Sequence, residues 1–268
     1  MRTLVQLSDL HFGATDPQLI EPLLAAVAAA GADVVVVSGD LTQRAREAQF
    51  EEARDFLARI AAPRIVVPGN HDVPLYRVWE RFLSPLGKYK RIIQGDLEPS
   101  YVDGEIAVLG VNTARALTFK GGRINKEQMA SIERRLKPLG DAVTKIVVTH
   151  HPFDVPDESG DVDLVGRARQ AMAVFSQCGV DLLLSGHFHL SQSGETTRDA
   201  IPGYSALAVQ AGTATSTRGR GEENSFNVLR VQPSEIVVER WTFRRDSREF
   251  RPDRSERFVR EGERWIER

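Results

Sequence analysis

The sequence predicts an α/β protein whose core is one mixed β-sheet or two packed sheets. Short apolar, β-branched runs alternate with amphipathic helical segments over the front of the chain, which is the pattern of βαβ units. The end of the chain adds two β-rich segments joined by a short turn, and these indicate antiparallel strands. Because both parallel and antiparallel strands are expected, the sequence predicts mixed β-sheets.

The first part of the chain supplies three strands and two helices. We predict strands at residues 4–7, 34–37 and 65–67, and VVVV in the second suits a strand covered on both faces. The first helix begins at Asp16-Pro17, a pair suited to an N-cap and first turn, and ends at Gly31. Apolar residues at helical spacing indicate the second helix: Phe50, Ala53, Leu57 and Ile60.

The alternation continues through the middle of the chain. The segment YVDGEIAVLGV predicts a hairpin that turns at Asp103-Gly104. A third helix begins at Asn125, which forms a capping box with Gln128, and a fourth ends at Gly179. The remaining strands are predicted at residues 146–148, 182–184, 226–231 and 235–243.

We predict one domain over residues 1–243 and a charged C-terminal tail over residues 244–268. The tail holds nine arginines and seven acidic residues, with aromatic residues between them. Charges of both signs argue against a nucleic-acid-binding tail. We expect it to dock onto its own domain or onto a second subunit, which would make a homodimer.

Composition predicts a soluble protein of the cytoplasm with no membrane partner. Hydrophobic residues make up 41% and charged residues 27% of the chain, and no apolar stretch is long enough to cross a bilayer. The N-terminal residues show no signal-peptide pattern. Cys178 is alone, which excludes an internal disulfide, and we expect it to pack in the core. The net charge of −2 disfavours a nucleic-acid polymer as partner.

Polar residues collect directly after five of the predicted strands. The five strand endings are LSDLH (7–11), SGDLT (38–42), PGNHD (68–72), THHPF (149–153) and SGHFH (185–189), and they contain all six histidines of the chain. In open α/β sheets, ligands bind at the carboxyl ends of the strands. The sequence therefore predicts a functional site at this edge.

The side chains at this edge have the chemistry of a metal site. The candidate donors are carboxylates, one amide and imidazoles: Asp9, His11, Asp40, Asn70, one of His150 and His151, His187 and His189. Each alone has a common structural role in a turn or cap, but together they suit Zn, Mn, Fe or Co rather than calcium. Seven donors exceed one tetrahedral site and fit two metal ions that share a carboxylate.

These five blocks resemble the calcineurin-like metallophosphoesterase superfamily. The matching elements are Asp-x-His, Gly-Asp, Gly-Asn-His-Asp, a histidine after a strand and Gly-His-x-His, in this order over residues 9–189. Within the superfamily the chain is most similar to bacterial class III cyclic-nucleotide phosphodiesterases and their broad-specificity relatives. The resemblance implies two packed mixed sheets flanked by helices, a four-layer αββα sandwich.

The resemblance also implies roles for individual residues. Asp9, His11 and His189 would hold one metal ion, Asn70, His150 and His187 the other, and Asp40 would bridge them. His71 would assist the leaving-group oxygen and Asp72 would orient its imidazole. His151 is expected to point away and to hydrogen-bond the loop that Pro152 stiffens, a substrate contact being the alternative.

The activity implied is hydrolysis of small phosphodiesters, with cyclic nucleotides as the leading substrate. Two adjacent cations lower the pKa of a bound water, and the resulting hydroxide attacks phosphorus in line with the departing alkoxide. The alternatives are a broad-specificity phosphomonoesterase, a DNA-end nuclease and a non-catalytic metal-stabilised scaffold. The low net charge disfavours the nuclease, and the presence of His71 disfavours the scaffold.

Substrate-binding residues are not identified by the sequence. Specificity is expected to come from segments 73–94, 112–123, 152–167 and 190–223, which surround the metal edge. Within them, Tyr76 and Trp79 could line a base pocket, but residues 77–82 look like a helix that packs its aromatics into the core. Arg218 and Arg220 could contact a phosphate or base, but a solvated loop is favoured.

Overall fold

The computed structural model describes residues 1–118, 121–154, 164–196, 201–217, 221–262 and 264–268. Within these residues the strands are β1 (Arg2–Leu7), β2 (Val34–Ser38), β3 (Arg64–Val67), β4 (Ser100–Val102), β5 (Ile106–Gly110), β6 (Thr144–Val148), β7 (Leu182–Ser185), β8 (Gln192–Glu195), β9 (Leu207–Gln210), β10 (Ser225–Gln232), β11 (Glu235–Arg244), β12 (Glu249–Glu261) and β13 (Arg264–Glu267). The α-helices are α1 (Ile20–Ala29), α2 (Glu47–Ala58), α3 (Val78–Leu83), α4 (Gly87–Ile92), α5 (Lys126–Leu136) and α6 (Ala168–Cys178).

The strands form two mixed sheets, as the resemblance implied. The seven-stranded sheet has the order β13-β12-β11-β10-β1-β2-β3, and the six-stranded sheet has the order β4-β5-β6-β7-β9-β8. In the first sheet β1, β2 and β3 are parallel and the other strands pair antiparallel. In the second, β5, β6, β7 and β9 are parallel between two antiparallel edges.

Alternation along each strand divides the core into layers. Val34 and Val36 face the second sheet, while Val35 and Val37 face the helices, because successive side chains of a strand point to opposite faces. One apolar cluster fills the space between the sheets. A second lies between the first sheet and α1, α2 and α4, and a third lies between the second sheet and α5 and α6. The result is the predicted four-layer αββα sandwich.

Local sequence signals position the helices where they were predicted. Asp16 accepts a hydrogen bond from the Gln18 backbone N–H at 3.0 Å before α1. Asn125 and Gln128 form the predicted capping box of α5. Gly179 ends α6 with a φ of 65°, a left-handed conformation that glycine adopts without strain.

The short helix α3 corrects one interpretation. The predicted helix forms, but Tyr76 and Trp79 are 76% and 81% exposed and do not pack in the core. The buried residue of this helix is Arg81, whose guanidinium donates to the carbonyls of Pro74 and Thr118 at 3.0 and 3.1 Å. Because this arginine occupies the inward face of α3, the aromatic residues are left at the surface.

The last 25 residues extend the first sheet. They form β12 and β13 after a tight turn, and their Phe258 and Trp265 are 1% and 2% exposed in the cluster between the sheets. The charged side chains form ion pairs such as Arg260–Asp181 and Arg264–Glu195, each at 2.7 Å.

Three further features of the sequence can be compared with the structure: the lone cysteine, two loop arginines and the absence of a long apolar segment. Cys178 is buried, as predicted. Arg218 and Arg220 lie outside the described residues. Across the described ranges, no helix has the length and apolar character needed to cross a membrane.

The packing of Trp265 predicts a large loss of stability in Trp265→Ala. Removal of this buried side chain should lower the free energy of unfolding by about 3–5 kcal/mol, since it leaves a cavity between the sheets. The matched control is the exposed Trp79, whose change to alanine should alter stability by about 0.5 kcal/mol or less. Urea denaturation followed by circular dichroism measures both, and equal small effects would contradict the described packing.

Candidate metal centre

The five polar strand endings meet at one edge of the two sheets. They follow β1, β2 and β3 of the first sheet and β6 and β7 of the second. Backbone hydrogen bonds link the turns within each sheet: Asp9 N–H donates to the Gly39 carbonyl and Gly186 N–H donates to the His150 carbonyl, both at 3.1 Å. The carboxyl ends of the parallel strands in both sheets thus bring residues that are distant in sequence into one cluster.

The backbone at this edge is held in an unusual conformation. Five of the eight non-glycine residues with positive φ in the described ranges are predicted donors: Asp9, His11, Asp40, His187 and His189. Left-handed backbone is uncommon for non-glycine residues, although Asp and His adopt it more readily than most, and it is concentrated at functional sites. The turns are therefore shaped to direct side chains into the cluster rather than to minimise local backbone energy.

Asp9, His11 and His189 form the first group of donors. Nε2 of His189 and Nε2 of His11 lie 3.2 and 3.5 Å from Oδ1 of Asp9. The two Nε2 atoms are 3.3 Å apart. All three residues are buried, and their donor atoms lie within 4.8 Å of one another.

Asp40, Asn70, His150 and His187 form the second group. Nε2 of His150 lies 3.1 Å from Oδ1 of Asn70, 3.3 Å from Nδ1 of His187 and 3.4 Å from Oδ2 of Asp40. The same Asp40 oxygen is 3.7 Å from Nε2 of His11 in the first group. Asp40 therefore lies between the two groups, as expected of a shared carboxylate.

These residues fit a pair of divalent cations. Asp9 and Asp40 are buried carboxylates, and the described residues place no lysine or arginine in an ion pair with either of them. A buried charge is costly unless it is paired or coordinates a metal. The imidazole nitrogens around these carboxylates face one another in pairs, His11 with His189 and His150 with His187. Such nitrogens can bind a cation that lies between them.

The charges of the metal-free cluster follow from burial and proximity. Burial opposes the charge of His150, but the Asp40 carboxylate outweighs burial and raises the pKa of His150 to about 9. Burial, together with the neighbouring charge of His150, lowers the pKa of His187 to about 4. The pKa of Asp9 lies well below its usual range, because hydrogen bonds with His11 and His189 outweigh burial. A cation that takes His150 as ligand would therefore displace its proton.

Both adjacent histidines form a possible metal-binding group with His187, but only His150 also belongs to a group with Asp9 and Asp40 among the described residues. Its Nδ1–H donates to the Ser38 carbonyl at 2.8 Å, which turns Nε2 toward Asp40 and Asn70. A hydrogen bond from the second ring nitrogen is the usual way to orient a metal-binding imidazole.

The expectation that His151 points away is wrong. Its ring centroid lies 4.8 Å from that of His150 and 4.7 Å from that of His187. The chain bends at these positions, so the alternation of an extended strand does not apply. Nδ1 of His151 lies 2.8 Å from Oγ1 of Thr113, in the segment that follows β5.

His71 lies beside the first group, but Asp72 does not orient it. The ring centroid of His71 is 4.9 Å from that of His11, and its Nδ1–H donates to the Gln43 carbonyl at 3.0 Å. The Asp72 carboxylate instead accepts from the backbone N–H groups of Leu41, Thr42 and Gly69 at 3.1, 2.9 and 2.9 Å. It also accepts from the Thr42 hydroxyl at 3.0 Å.

The resemblance implied that Asp72 orients His71, but its hydrogen bonds make it a clamp between two turns. The two oxygens of Asp72 accept four hydrogen bonds. The ring of His71 is oriented by the Gln43 carbonyl, to which its Nδ1–H donates. Burial and the nearby charge of Asp40 raise the pKa of Asp72 to about 6, although the backbone N–H groups oppose this.

Glycines at the turns are required by close packing. A Cβ at Gly69 would lie 2.1 Å from Oδ1 of Asp40, and one at Gly186 would lie 1.9 Å from the Ser8 hydroxyl and 2.6 Å from Oδ2 of Asp9. The glycine next to a polar residue in SGDLT, PGNHD and SGHFH is a visible sequence signal for such close approach.

Other supporting residues had no clear sequence signal. The hydroxyls of Thr213 and Thr215 donate to the carbonyls of Asp9 and Leu10, each at 2.8 Å. They lie more than 200 residues from their partners, so only the tertiary structure reveals the contact.

Comparisons with known proteins show which proteins are similar to this chain. A family model described as calcineurin-like phosphoesterase matches residues 2–191. A Synechococcus sp. protein described as a probable cyclic nucleotide phosphodiesterase is 27% identical over 202 residues, 70% of this chain and 73% of that protein. The glycerophosphodiester phosphodiesterase GpdQ of Enterobacter lignolyticus is 24% identical over 174 residues, 63% of this chain and 62% of GpdQ.

A solved structure shares the fold. The purple acid phosphatase PPD1 of yellow lupin, Lupinus luteus, superposes with a TM-score of 0.73 at 14% identity. The superposition covers 97% of this chain and 54% of the plant protein. At this identity the similarity shows a common fold.

The Asp72 clamp predicts that Asp72→Asn perturbs the turns that carry Asp40 and Asn70. Asparagine replaces one of the two accepting oxygens with an NH₂ group, which cannot accept the hydrogen bonds that this oxygen receives. The free energy of unfolding should therefore fall by about 1–3 kcal/mol at pH 8. The affinity for Mn²⁺ should fall with it. Calorimetric Mn²⁺ titration measures the affinity, and urea denaturation measures the free energy of unfolding. The control is His71→Ala, which should reduce both the affinity and the free energy of unfolding less than Asp72→Asn does. An Asp72→Asn protein with unchanged stability would contradict the clamp.

The two adjacent histidines should differ in metal binding. His150→Ala should retain fewer Mn²⁺ ions per chain after dialysis than His151→Ala, because Nε2 of His150 faces both Asp40 and Asn70. Elemental analysis by mass spectrometry measures the ratio of metal to protein. Greater loss of metal in His151→Ala would show that the neighbouring histidine is the ligand.

Proposed function

The chain belongs to the calcineurin-like phosphoesterase family, and from this premise we propose that it is a dinuclear metal-dependent phosphodiesterase of small phosphodiesters. Cyclic nucleotides are the leading substrate class. The observation that carries the proposal is the convergence of two buried carboxylates with imidazole and amide donors in two adjoining groups.

Each group supplies the donors for one cation. Asp9, His11 and His189 would hold the first, and Asn70, His150 and His187 would hold the second. Asp40 would bind both, which its distances to His150 and His11 support. The donor set accepts Mn, Fe, Zn or Co, since imidazole, amide and carboxylate suit all of them.

Bound cations would supply Lewis-acid stabilisation of the phosphate and activation of a water molecule. The residues of the chain then orient these groups and exclude bulk water, since Asp9, His11, Asp40 and His150 are buried. His71 is only partly buried and lies at the rim of this cluster. With its Nδ1–H on the Gln43 carbonyl, it would exchange a proton with the leaving oxygen through Nε2.

The names of the similar proteins support a diester substrate. The Synechococcus protein and GpdQ are both described as phosphodiesterases, one of cyclic nucleotides and the other of glycerophosphodiesters. The proposal therefore favours diesters over monoesters for this chain. The residues around His71 would determine which leaving group is accepted.

Turnover of matched esters tests the proposed activity. Purified Mn²⁺-loaded protein should hydrolyse 3′,5′-cyclic AMP and bis(p-nitrophenyl) phosphate faster than p-nitrophenyl phosphate. Turnover of the monoester alone would establish a phosphomonoesterase, and no turnover of any ester would favour a metal-stabilised scaffold.

His71→Ala separates proton transfer from metal binding. The variant should keep its metal but lose about 10²–10⁴-fold in kcat, because general acid catalysis contributes factors of this size. The loss should be greatest for alkoxide leaving groups, which need a proton most. Metal depletion in His71→Ala would show instead that this histidine is a ligand.

A further inference from the structure

A cavity of about 510 Å³ lies beside the two chain segments that follow the turns at the metal edge. Its walls are the segments on either side of the Asp72 clamp, namely residues 44–47 after β2 and residues 74–77 after β3, with Lys88 completing the lining. The Gln43 carbonyl that holds His71 immediately precedes the first wall. The volume lies within the range of about 300–1,000 Å³ that is typical of small-molecule sites.

The first wall is rigidly held. Oε1 of Gln49 accepts from the backbone N–H groups of Arg44 and Arg46 at 2.9 and 3.4 Å, and the Thr42 hydroxyl accepts from Ala45 N–H at 3.0 Å. Thr42 is itself hydrogen-bonded to Asp72. The position of Arg44 is thus fixed by the network that shapes the metal edge.

The guanidinium of Arg44 lies over the ring of Tyr76, and both residues line the cavity. The guanidinium carbon of Arg44 lies 5.7 Å from the ring centroid of Tyr76, within the range of a cation–π interaction. Both side chains are exposed, although Tyr76 is large and aromatic. We call this pair the Arg44–Tyr76 platform.

The charge of Arg44 is not neutralised by a neighbour. Arg77 and Lys88, also in the lining, both pair with Glu80, and Glu47 pairs with Arg91 at 2.8 Å. The described residues include no carboxylate in an ion pair with Arg44. Arg46, which also lines the cavity, is in no ion pair among the described residues either. The cavity therefore offers flat surfaces and a positive charge close to the segment that holds His71.

We propose that the Arg44–Tyr76 platform stacks the base of a nucleoside leaving group and so selects nucleotides over glycerol-based diesters. Nucleobases stack on aromatic rings and on guanidinium planes, whereas a glycerol group has no flat face to offer. The positive charge also attracts the phosphate toward the cleft. The proposal rests on the proposed phosphodiesterase activity and names the substrate class of that same site.

Kinetics on a substrate with and without a base test the platform. Tyr76→Ala should raise the KM for 3′,5′-cyclic AMP about 5- to 100-fold with little change in kcat, since base stacking acts on ground state and transition state alike. The KM for the 1-O-methyl ribose 3′,5′-cyclic phosphate, which lacks the base, should be unchanged. Glycerophosphoethanolamine should likewise be hydrolysed equally by the wild type and the variant.

Three further variants distinguish stacking from other causes. Tyr76→Phe should keep the wild-type KM, because it keeps the ring. Arg44→Lys should raise the KM for cyclic AMP, because it keeps the charge and loses the plane. Trp79→Ala should leave the KM unchanged, because this exposed aromatic residue is close in sequence but does not line the cavity.

Several results would overturn the platform. These are an unchanged KM for cyclic AMP in Tyr76→Ala, an equal loss on the abasic substrate, or an equal loss in Trp79→Ala. Wild-type KM in Arg44→Lys would assign the site to an anionic group instead of a base.

Binding measurements test base stacking even if the protein hydrolyses no diester. The absence of hydrolysis would refute the proposed function. Calorimetric titration of the Mn²⁺-loaded protein with AMP and with ribose 5-phosphate would still show whether the Arg44–Tyr76 platform binds a base. AMP should bind more tightly to the wild type than to Tyr76→Ala, while ribose 5-phosphate should bind both equally. Equal AMP affinities would refute base stacking.

Discussion

Two carboxylates buried at the junction of two sheets, Asp9 and Asp40, are the constraint on which the rest of the site depends. Each is almost inaccessible to water, and the described ion pairs give neither a lysine nor an arginine as counter-charge. Burial of such charges is unfavourable unless cations or several hydrogen bonds compensate them. The left-handed turns, the glycines that admit close packing and the ring of imidazoles all serve to surround these two groups.

The same turns connect the metal edge to the surface that would select the substrate. Asp72 joins the turn after β2 to the turn after β3, and Thr42 extends this network to the residues before α2. Asp40, His71 and Arg44 are therefore positioned by one set of hydrogen bonds. A change that shifts this network should alter metal binding and substrate selection together, whereas Tyr76 contributes to selection alone.

Sequence patterns predicted most of the strands and helices, and the edge at which the candidate donors meet, because both depend on local signals. Strands β8, β9, β12 and β13 and helix α4 were not predicted. Strand runs, caps and turn glycines act over a few residues, and the polar strand endings follow them directly. The failures involve tertiary partners. Trp79 was assigned to the core because its spacing is helical, but Arg81 fills the inward face of α3. The partners of His151 and Asp72 are Thr113 and the backbone of residues 41–42. These lie in segments that follow other strands, so local patterns do not reveal the contacts.

In the proposed site, Asp40 joins two cations. Electron paramagnetic resonance of the Mn²⁺-loaded protein, combined with calorimetric stoichiometry, tests it most directly. Two ions per chain with an exchange-coupled spectrum are expected for the wild type, and Asp40→Asn should lose the coupling. One ion per chain, or two ions whose spectra are independent of each other, would contradict a shared site.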